Sequence, residues 1–220
     1  AELMEAAIGG PGNSSFEVSY DVPGKGIYTE AVVHRVENGI SANYTEAYMR
    51  RRDPDTMLIA DNLPTDKERF TDKMGYDFSS LREETFRWLE SQELATFFYY
   101  AGKHPVGIGG IVIAPANAGF FAFGLALLQN MISAKQLPEN FSIESIIYVA
   151  PPFRHTHFDG KQKVVHNRTG SIHELFSYNL YPGPSAKKGL YGVLLGKGEK
   201  EGWVTAHCST VQVTSPYDNV

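Results

Sequence analysis

Apolar and polar residues alternate near the start of the chain, after a short predicted helix. Phe16, Val18 and Tyr20 are separated by polar neighbours, which is the period of a strand with one buried face. A Pro-Gly-Lys-Gly turn at residues 23–26 leads into a second apolar stretch over residues 27–36, and an Asn-Gly pair follows it. Both turns are typical of β-hairpins. We therefore expect an antiparallel meander in this region.

Further along the chain, strand patterns alternate with helix patterns. A Ser80/Glu83 pair predicts a capped helix start, and Phe86, Trp88 and Leu89 are its expected buried residues. The other predicted helices cover residues 119–134 and 186–195, and the predicted strands cover residues 95–100, 108–114, 143–149 and 203–213. This alternation, with antiparallel hairpins before it, predicts one α/β domain with a mixed sheet flanked by helices.

One uncharged stretch resembles a membrane span in length. No acidic or basic side chain occurs between Lys103 and Lys135, which is long enough to cross a bilayer. Several glycines and Pro115 would interrupt a helix in its middle, so a buried strand followed by a helix fits better. The Gly107-x-Gly-Gly sequence within it is typical of close strand–helix packing rather than of a phosphate loop. We expect no membrane partner.

Composition narrows the function classes. The chain has 220 residues and a formal net charge of −5, which suits one large domain and argues against non-specific nucleic-acid binding. Cys208 is the only cysteine, so no internal disulfide can form. Together with the lack of a signal-peptide pattern, this predicts a cytoplasmic protein.

The strongest candidate for chemistry is a pair of lysines at a predicted helix start. Lys187 and Lys188 follow a Gly/Pro loop that contains Tyr181, and His207 comes later in an apolar strand pattern. Cations at a helix N-terminus oppose the helix dipole, so this arrangement suits an anion or a metal-bound anion. A lysine ligates a metal only as the neutral amine. The structural alternatives are an exposed basic turn and a hydrogen-bonded core histidine.

A second candidate segment contains three successive arginines before Asp-Pro-x-Thr and a predicted strand. A guanidinium group holds a carboxylate with two parallel hydrogen bonds, which makes Arg52 a candidate for binding an organic acid. The alternative is a solvated basic turn that Asp53 and Asp55 partly neutralise, and for Arg50 and Arg51 this alternative has nearly equal weight.

These segments, in this order, resemble the N-terminal domain of the phosphoenolpyruvate carboxykinases, and in particular an uncharacterised bacterial branch of carboxykinase-like proteins. The resemblance implies that Lys188 and His207 bind Mn²⁺ (or Mg²⁺), that Lys187 faces substrate or phosphate, that Arg52 holds the substrate carboxylate and that Tyr181 lines the substrate pocket. Lys187 and Lys188 would be the catalytic pair.

The sequence departs from the family pattern in the segment expected to bind the substrate. Arg51 stands where the family has glycine, and Asp53 stands where it has serine, so the accepted anion is open. A kinase of the same fold that acts on another small acid or alcohol is one alternative. A non-catalytic module that binds an organic acid is another.

No Gly-x-x-x-x-Gly-Lys-Ser/Thr sequence occurs in residues 1–220. The resemblance therefore implies a single carboxykinase-like N-terminal domain, truncated before a P-loop nucleotide-binding domain of the same protein that would bring ATP or GTP. The intact protein would convert oxaloacetate and a nucleoside triphosphate into phosphoenolpyruvate, CO₂ and a nucleoside diphosphate. The fragment alone would be inactive.

The family pattern has no counterpart for a histidine-rich segment at residues 153–161. If this segment is extended, His155 and His157 point to one face and form a possible chelating pair. The preferred interpretation is that both histidines face solvent in a polar loop. A substrate-specific loop is a third interpretation, ranked between this one and a metal site. His104, His166 and His173 belong to no motif.

Overall fold

The structure is a computed structural model that describes residues 2–45, 56–102, 107–128, 130–132, 134–183 and 187–206. Ten strands and six α-helices lie within these ranges. The strands are β1 Ser15–Val22, β2 Gly26–Val36, β3 Gly39–Tyr44, β4 Met57–Ile59, β5 Leu94–Ala101, β6 Ile108–Pro115, β7 Asn130–Ile132, β8 Ser145–Val149, β9 Val164–Asn167 and β10 His173–Ser177. The helices are α1 Glu2–Ala7, α2 Phe70–Met74, α3 Phe78–Glu90, α4 Gly119–Leu128, α5 Phe153–His157 and α6 Lys188–Lys200.

The first three strands form the antiparallel meander that the alternating pattern predicts. β1 pairs with β2 and β2 with β3, both antiparallel, and Glu30 is an extra, bulged residue of β2 opposite Val18/Ser19. Val18 and Val33 are fully buried on the inner face, whereas their neighbours in sequence are less buried. Because only one face is buried, apolar and polar residues alternate along the strand, and this alternation allowed the prediction. A shift of the pairing register by one residue would expose every apolar side chain.

The other strands form a seven-stranded sheet in the order β4-β9-β10-β8-β6-β5-β7. β6, β8 and β10 run parallel to one another, while β5 and β9 are antiparallel to their neighbours β6 and β10, and β4 is parallel to β9. The α/β class with a mixed sheet flanked by helices is confirmed. We call end A the side where β6, β8 and β10 finish and β4, β5 and β9 begin. End B is the opposite side.

Successive residues of β10 contact two different cores. Leu175 belongs to the larger core, which the meander, α4 and α6 cover. Phe176 points to the other face and packs against Phe78 of α3, with ring centroids 5.0 Å apart. Both residues are fully buried. The sheet is thus covered on both faces, as expected when parallel strands lie at its centre.

Helix α3 begins earlier than the sequence predicts. Its N-cap is Asp77, whose side chain accepts a hydrogen bond of 2.8 Å from the backbone N–H of Ser79. The prediction of a Ser80/Glu83 cap is therefore wrong. Aspartate and serine are both good N-caps, and Phe78 decides between them because its buried ring belongs to the first helical turn.

The uncharged stretch forms strand β6 and helix α4. Helix α4 ends at Leu128 rather than near residue 134, because residues 130–132 pair with β5 as strand β7. A Cβ on Gly110 would collide with the Tyr99 ring of β5 and the backbone of Ser145 in β8, so the close packing at this glycine is between strands and not between a strand and a helix as predicted. Among the described helices, none is long and apolar enough to cross a membrane.

Helix α6 confirms the helix predicted after the lysine pair and extends it to Lys200. It packs on the sheet through small residues: a Cβ on Gly189 would lie 2.2 Å from Leu175, and one on Gly192 would lie 3.4 Å from His166. The strand predicted over residues 203–213 is wrong in its first part, since residues 203–206 form no strand. Residues 207–213 lie outside the described residues.

Candidate functional site

End A collects the loops that contain several of the predicted site residues. The segment with Tyr181 and Lys187 follows the carboxyl end of β10, and α5 follows the carboxyl end of β8. Thr56, which precedes β4, lies at the same end, because its carbonyl accepts a hydrogen bond of 2.8 Å from the N–H of Val164. Ligands of open α/β sheets bind outside the carboxyl ends of the parallel strands.

The two lysines lie at the exposed N-terminus of α6. Lys187 occupies the N-cap position with helical φ and ψ of −59° and −54°, makes no side-chain cap, and donates its backbone N–H to the carbonyl of Pro182 at 2.9 Å. Both side chains are exposed, and the first turn of α6 contains no acidic residue. Within the described part of the chain, neither ammonium group has a hydrogen bond or an ion pair. Both are therefore available to an anion.

Tyr181 is held beside these lysines by the loop that carries it. Its backbone N–H donates to Oδ1 of Asn179 at 3.0 Å, and its half-buried ring meets the ring of Tyr44 edge-on at 5.8 Å. The hydroxyl of Tyr44 in turn donates to the carbonyl of Leu180 at 3.0 Å. The loop is thus fastened to strand β3, and Tyr181 lies in the segment that leads from β10 to α6.

A buried polar cluster lies between the meander and α5, and we call it the Glu30 cluster. The Glu30 carboxylate is fully buried, accepts a hydrogen bond from the hydroxyl of Tyr20 and lies 3.7 Å from the guanidinium of Arg154. Arg154, which is 2% exposed, also donates to the hydroxyl of Tyr28 at 3.1 Å. The ring of His155 lies 4.1 Å from that of Tyr28. A buried charge of this kind is tolerated because it is paired.

The Glu30 cluster extends electrostatically to Tyr44. Burial, followed by the negative charge of Glu30 and the neighbouring Tyr181, raises the pKa of Tyr44 well above its ordinary value. Burial and Glu30 likewise raise the pKa of Tyr20. Both phenols therefore stay protonated and act as hydrogen-bond donors at neutral pH. Sequence analysis missed this cluster, because Glu30 and Arg154 are far apart in the chain.

The histidine-rich segment is helical rather than extended. His155 and His157 belong to α5 and are half-buried, so they do not project from one face as in a strand. His157 lies 3.4 Å from the carboxylate of Glu84, whereas His155 stacks on Tyr28. The interpretation as two solvent-facing histidines in a loop is therefore wrong, and the two rings do not form a chelating pair.

Comparison with known protein families gives a match along the whole chain. Residues 1–220 match the family described as Domain of unknown function (DUF4914). The chain belongs to this family. No curated protein matches the sequence at a significant level. The expectation of an uncharacterised family fits this result, whereas the link to the carboxykinases stays a prediction.

The structure of this DUF4914 chain describes three of the five predicted site residues, which are Tyr181, Lys187 and Lys188. Arg52 and His207 lie outside the described residues, and so do Arg50 and Arg51. Lys188 is therefore the one predicted metal ligand that the structure describes. In the described ranges, no group of three or more His, Cys, Asp and Glu side chains is arranged to hold a metal ion. The proximity of Lys188 to His207 stays a prediction.

End B contains an ion-pair network that sequence analysis did not find. Asp61, which is 3% exposed, accepts hydrogen bonds from the backbone and the guanidinium of Arg168 at 2.7–3.1 Å. Burial alone would raise the pKa of Asp61, but Arg168 and backbone donors outweigh burial and lower it. Arg82 of α3 donates to both carboxylate oxygens of Glu174, at 2.9 and 2.5 Å.

His166, which is 2% exposed, and the half-buried His173 lie near this network on the α6 side of the sheet. Nδ1 of His166 and Nε2 of His173 are 2.8 Å apart. Burial, followed for His166 by His173 and for His173 by Arg168, lowers the pKa of the two rings to about 3 and about 4. They are neutral at pH 7. The antiparallel register of β9 and β10 brings them together, and no spacing in the sequence reveals that register.

Proposed function

We propose that this DUF4914 chain is the substrate- and metal-binding half of an enzyme resembling the phosphoenolpyruvate carboxykinases. The observation that carries the proposal is the presentation of Lys187 and Lys188 at an exposed helix N-terminus, beyond the carboxyl end of β10 and beside Tyr181. A domain that binds ATP or GTP would supply the other half of the active site.

The position of the lysines is costly for the fold, which favours a functional role. A cation in the first helical turn is repelled by the positive end of the helix dipole. The same backbone N–H groups attract an anion, and two ammonium groups beside them strengthen that attraction. Since no described acid neutralises Lys187 or Lys188, an anionic substrate is the natural partner.

Arg52 extends this site in the proposal. It lies four positions before Thr56, and four residues of extended chain span at most about 14 Å. Because Thr56 lies at end A, this short tether supports a shared site for Arg52 and the lysine pair. The guanidinium would hold the carboxylate of oxaloacetate or phosphoenolpyruvate with two parallel hydrogen bonds.

The residues then divide the work of the reaction. Arg52 and Tyr181 orient the organic acid, Lys187 faces its oxygen or the phosphoryl group, and Lys188 with His207 would hold Mn²⁺ or Mg²⁺. The divalent ion, when bound, supplies positive charge for the developing oxyanion and the transferring phosphoryl group. Oxaloacetate loses CO₂ and its enol oxygen accepts the γ-phosphoryl group, which yields phosphoenolpyruvate and a nucleoside diphosphate.

The test uses the full-length protein, with Mn²⁺ binding followed by calorimetry and oxaloacetate decarboxylation assayed with ATP and with GTP. Lys188→Ala and His207→Ala should each weaken Mn²⁺ binding roughly tenfold or more and abolish turnover. Lys187→Ala should reduce turnover and leave Mn²⁺ affinity nearly unchanged. The control is Lys161→Ala, an exposed lysine at the same end of the sheet, which should change neither quantity.

The other outcomes separate the alternatives. Unchanged Mn²⁺ affinity and turnover in both ligand variants would refute the assignment. Phosphoryl transfer to other small acids or alcohols without decarboxylation would identify a kinase. Binding of an organic acid that is indifferent to Mn²⁺, with no turnover, would identify a binding module.

A further inference from the structure

A cavity of about 360 Å³ opens at end B, on the face of the sheet that α3 covers. It lies between the carboxyl ends of the parallel strands β4 and β9 and the first turn of α3. Its volume lies within the range of small-molecule sites, which begins at about 300 Å³. The side chains that decide its chemistry are Leu63, Asp77, Phe78, Ser79, Arg82 and Thr169.

The charges in the wall of this cavity are already matched within the protein. Asp61 is paired with Arg168, and Arg82 is paired with Glu174 through two hydrogen bonds. Asp77 is the lining carboxylate that caps a helix. Because Arg82 and Asp61 are already neutralised by their partners, a phosphate here would meet the carboxylate of Asp77 without a compensating cation. The cavity therefore favours a ligand without negative charge.

Hydrogen-bonding groups of both kinds remain in the wall. Asp77 accepts hydrogen bonds from the backbone N–H and from the side chain of Ser79, and its carboxylate keeps further lone pairs that can accept. Thr169 donates to Asn167 at 2.9 Å and keeps lone pairs that accept. The hydroxyl of Ser79 both donates and accepts, and Nη1 of Arg82 can donate. A ligand hydroxyl matches such a wall, because it too donates and accepts.

Apolar groups complete the cavity. Leu63 is 40% exposed and presents a carbon surface beside the polar groups, whereas Phe78, at 3% exposed, lies behind the wall in the core. The C–H face of a sugar ring or cyclic polyol fits such a surface while its hydroxyls reach the wall. We propose that the cavity binds a small neutral polyhydroxylated molecule. This site shares no residue with the site at end A, so a test of this proposal does not depend on the proposed function.

Binding is tested by calorimetry and by NMR chemical-shift mapping of the full-length protein. The probes are glucose and myo-inositol as neutral polyols, and glucose 6-phosphate and inorganic phosphate as anions. We expect at least one neutral probe to bind with a Kd below about 10 mM, with shifts concentrated in the first turn of α3. The anionic probes should bind more weakly.

A matched pair of variants distinguishes the loss of a cavity contact from a general effect on the first turn of α3. Ser79 and Ser80 are neighbouring exposed residues of α3, but the cavity is lined by Ser79 and not by Ser80. Ser79→Ala should weaken binding of the neutral probe roughly tenfold, which is the loss of about one hydrogen bond. Ser80→Ala should leave the affinity unchanged.

Three results would overturn the proposal. The first is no binding of either neutral probe, and the second is tighter binding of the phosphorylated probes than of the neutral ones. The third is an equal effect of Ser79→Ala and Ser80→Ala. Circular dichroism of both variants should match that of the original protein, because exposed serine-to-alanine changes in a helix do not disturb packing.

Discussion

At end B, Arg168 and Arg82 each bond a carboxylate, whereas at end A Lys187 and Lys188 stand exposed at a helix N-terminus with no described acidic partner. A third arginine, Arg154, is buried near end A and is paired with Glu30. Paired charges hold a fold together only when their geometry is good. Cations without partners add no such support, so selection on stability alone does not explain them.

This contrast separates two uses of positive charge in one domain. Substitutions at end B should change the free energy of unfolding, whereas substitutions of the lysine pair should hardly change it and should affect ligand binding instead. The ranking of the stability effects follows from burial and from the number of hydrogen bonds that each side chain makes.

The largest effect is expected for Asp61→Asn. The side chain of Asp61 is fully buried and receives the guanidinium of Arg168, so the change leaves a largely buried cation without its counter-charge. We expect a loss of about 3 kcal/mol in the free energy of unfolding, measured by urea denaturation. Asp66→Asn is the control, because Asp66 is 83% exposed, and its unfolding midpoint should not move. A loss at Asp61 no larger than at Asp66 would contradict the structural role of end B.

Stability at end B should also depend on pH through His166 and His173. Their pKa values lie below the ordinary value of 6.5. Below pH 6.5 the unfolded chain therefore binds more protons than the folded chain. The stability is present in full above pH 6.5 and is lost as the pH falls toward about 4. In His173→Gln, which removes one titrating ring, the decrease in free energy of unfolding between pH 6.5 and pH 5 should be about 2 kcal/mol smaller.

The control for this pH dependence is His34→Gln. His34 is exposed on β2, so the variant should unfold with the pH dependence of the original protein. The carboxylate of Asp61 acts in a lower window: its pKa is depressed below 3.8, so its contribution is present above that pH and is lost only in stronger acid. An unchanged slope between pH 6.5 and pH 5 in His173→Gln would show that the ring already titrates like a solvent-exposed histidine.

The fold was predictable where one local pattern sufficed. The alternation around Val18 predicted the meander, because only one face of β1 is buried, and the apolar run of β6 predicted a buried strand. The helix after Lys187 was predicted because a Gly/Pro loop precedes it. Such features depend on neighbours in the chain, which a sequence shows directly.

The paired groups were not predictable, because sheet register creates them. Asp61 meets Arg168, and His166 meets His173, because β4, β9 and β10 align in one particular register. The sequence contains the residues but not the pairing. The start of α3 was wrong for a local reason: Asp77 and Ser80 both suit an N-cap, and burial of Phe78 decides between them. In the candidate site, sequence motifs identified Tyr181 and the lysine pair, whereas only the structure revealed the Glu30 cluster.

A smaller effect is expected for the pair between Arg82 and Glu174. Glu174→Gln keeps the shape of the side chain but removes its charge, and Arg82 is partly solvated, with 37% of its side chain exposed. We expect a loss of about 1 kcal/mol in the free energy of unfolding. The matched control is Glu83→Gln, which removes an exposed helix pair with a nitrogen–oxygen distance of 3.9 Å. A control variant as destabilised as Glu174→Gln would show that the second pair at end B adds nothing beyond a surface contact.

The smallest effect, and the sharpest test of the contrast, comes from reversing a lysine charge at each end of α6. The change in the free energy of unfolding should have opposite signs at the two ends. Lys188 lies in the first turn of this helix and Lys200 at its last residue. Because the dipole is positive at the start and negative at the end, Lys188→Glu should raise the free energy of unfolding by about 0.5 kcal/mol, and Lys200→Glu should lower it by a similar amount. Both differences should shrink in high salt. A marked loss of stability in Lys188→Glu would show that the lysine supports the fold, and the argument that it is retained for a ligand would then fail.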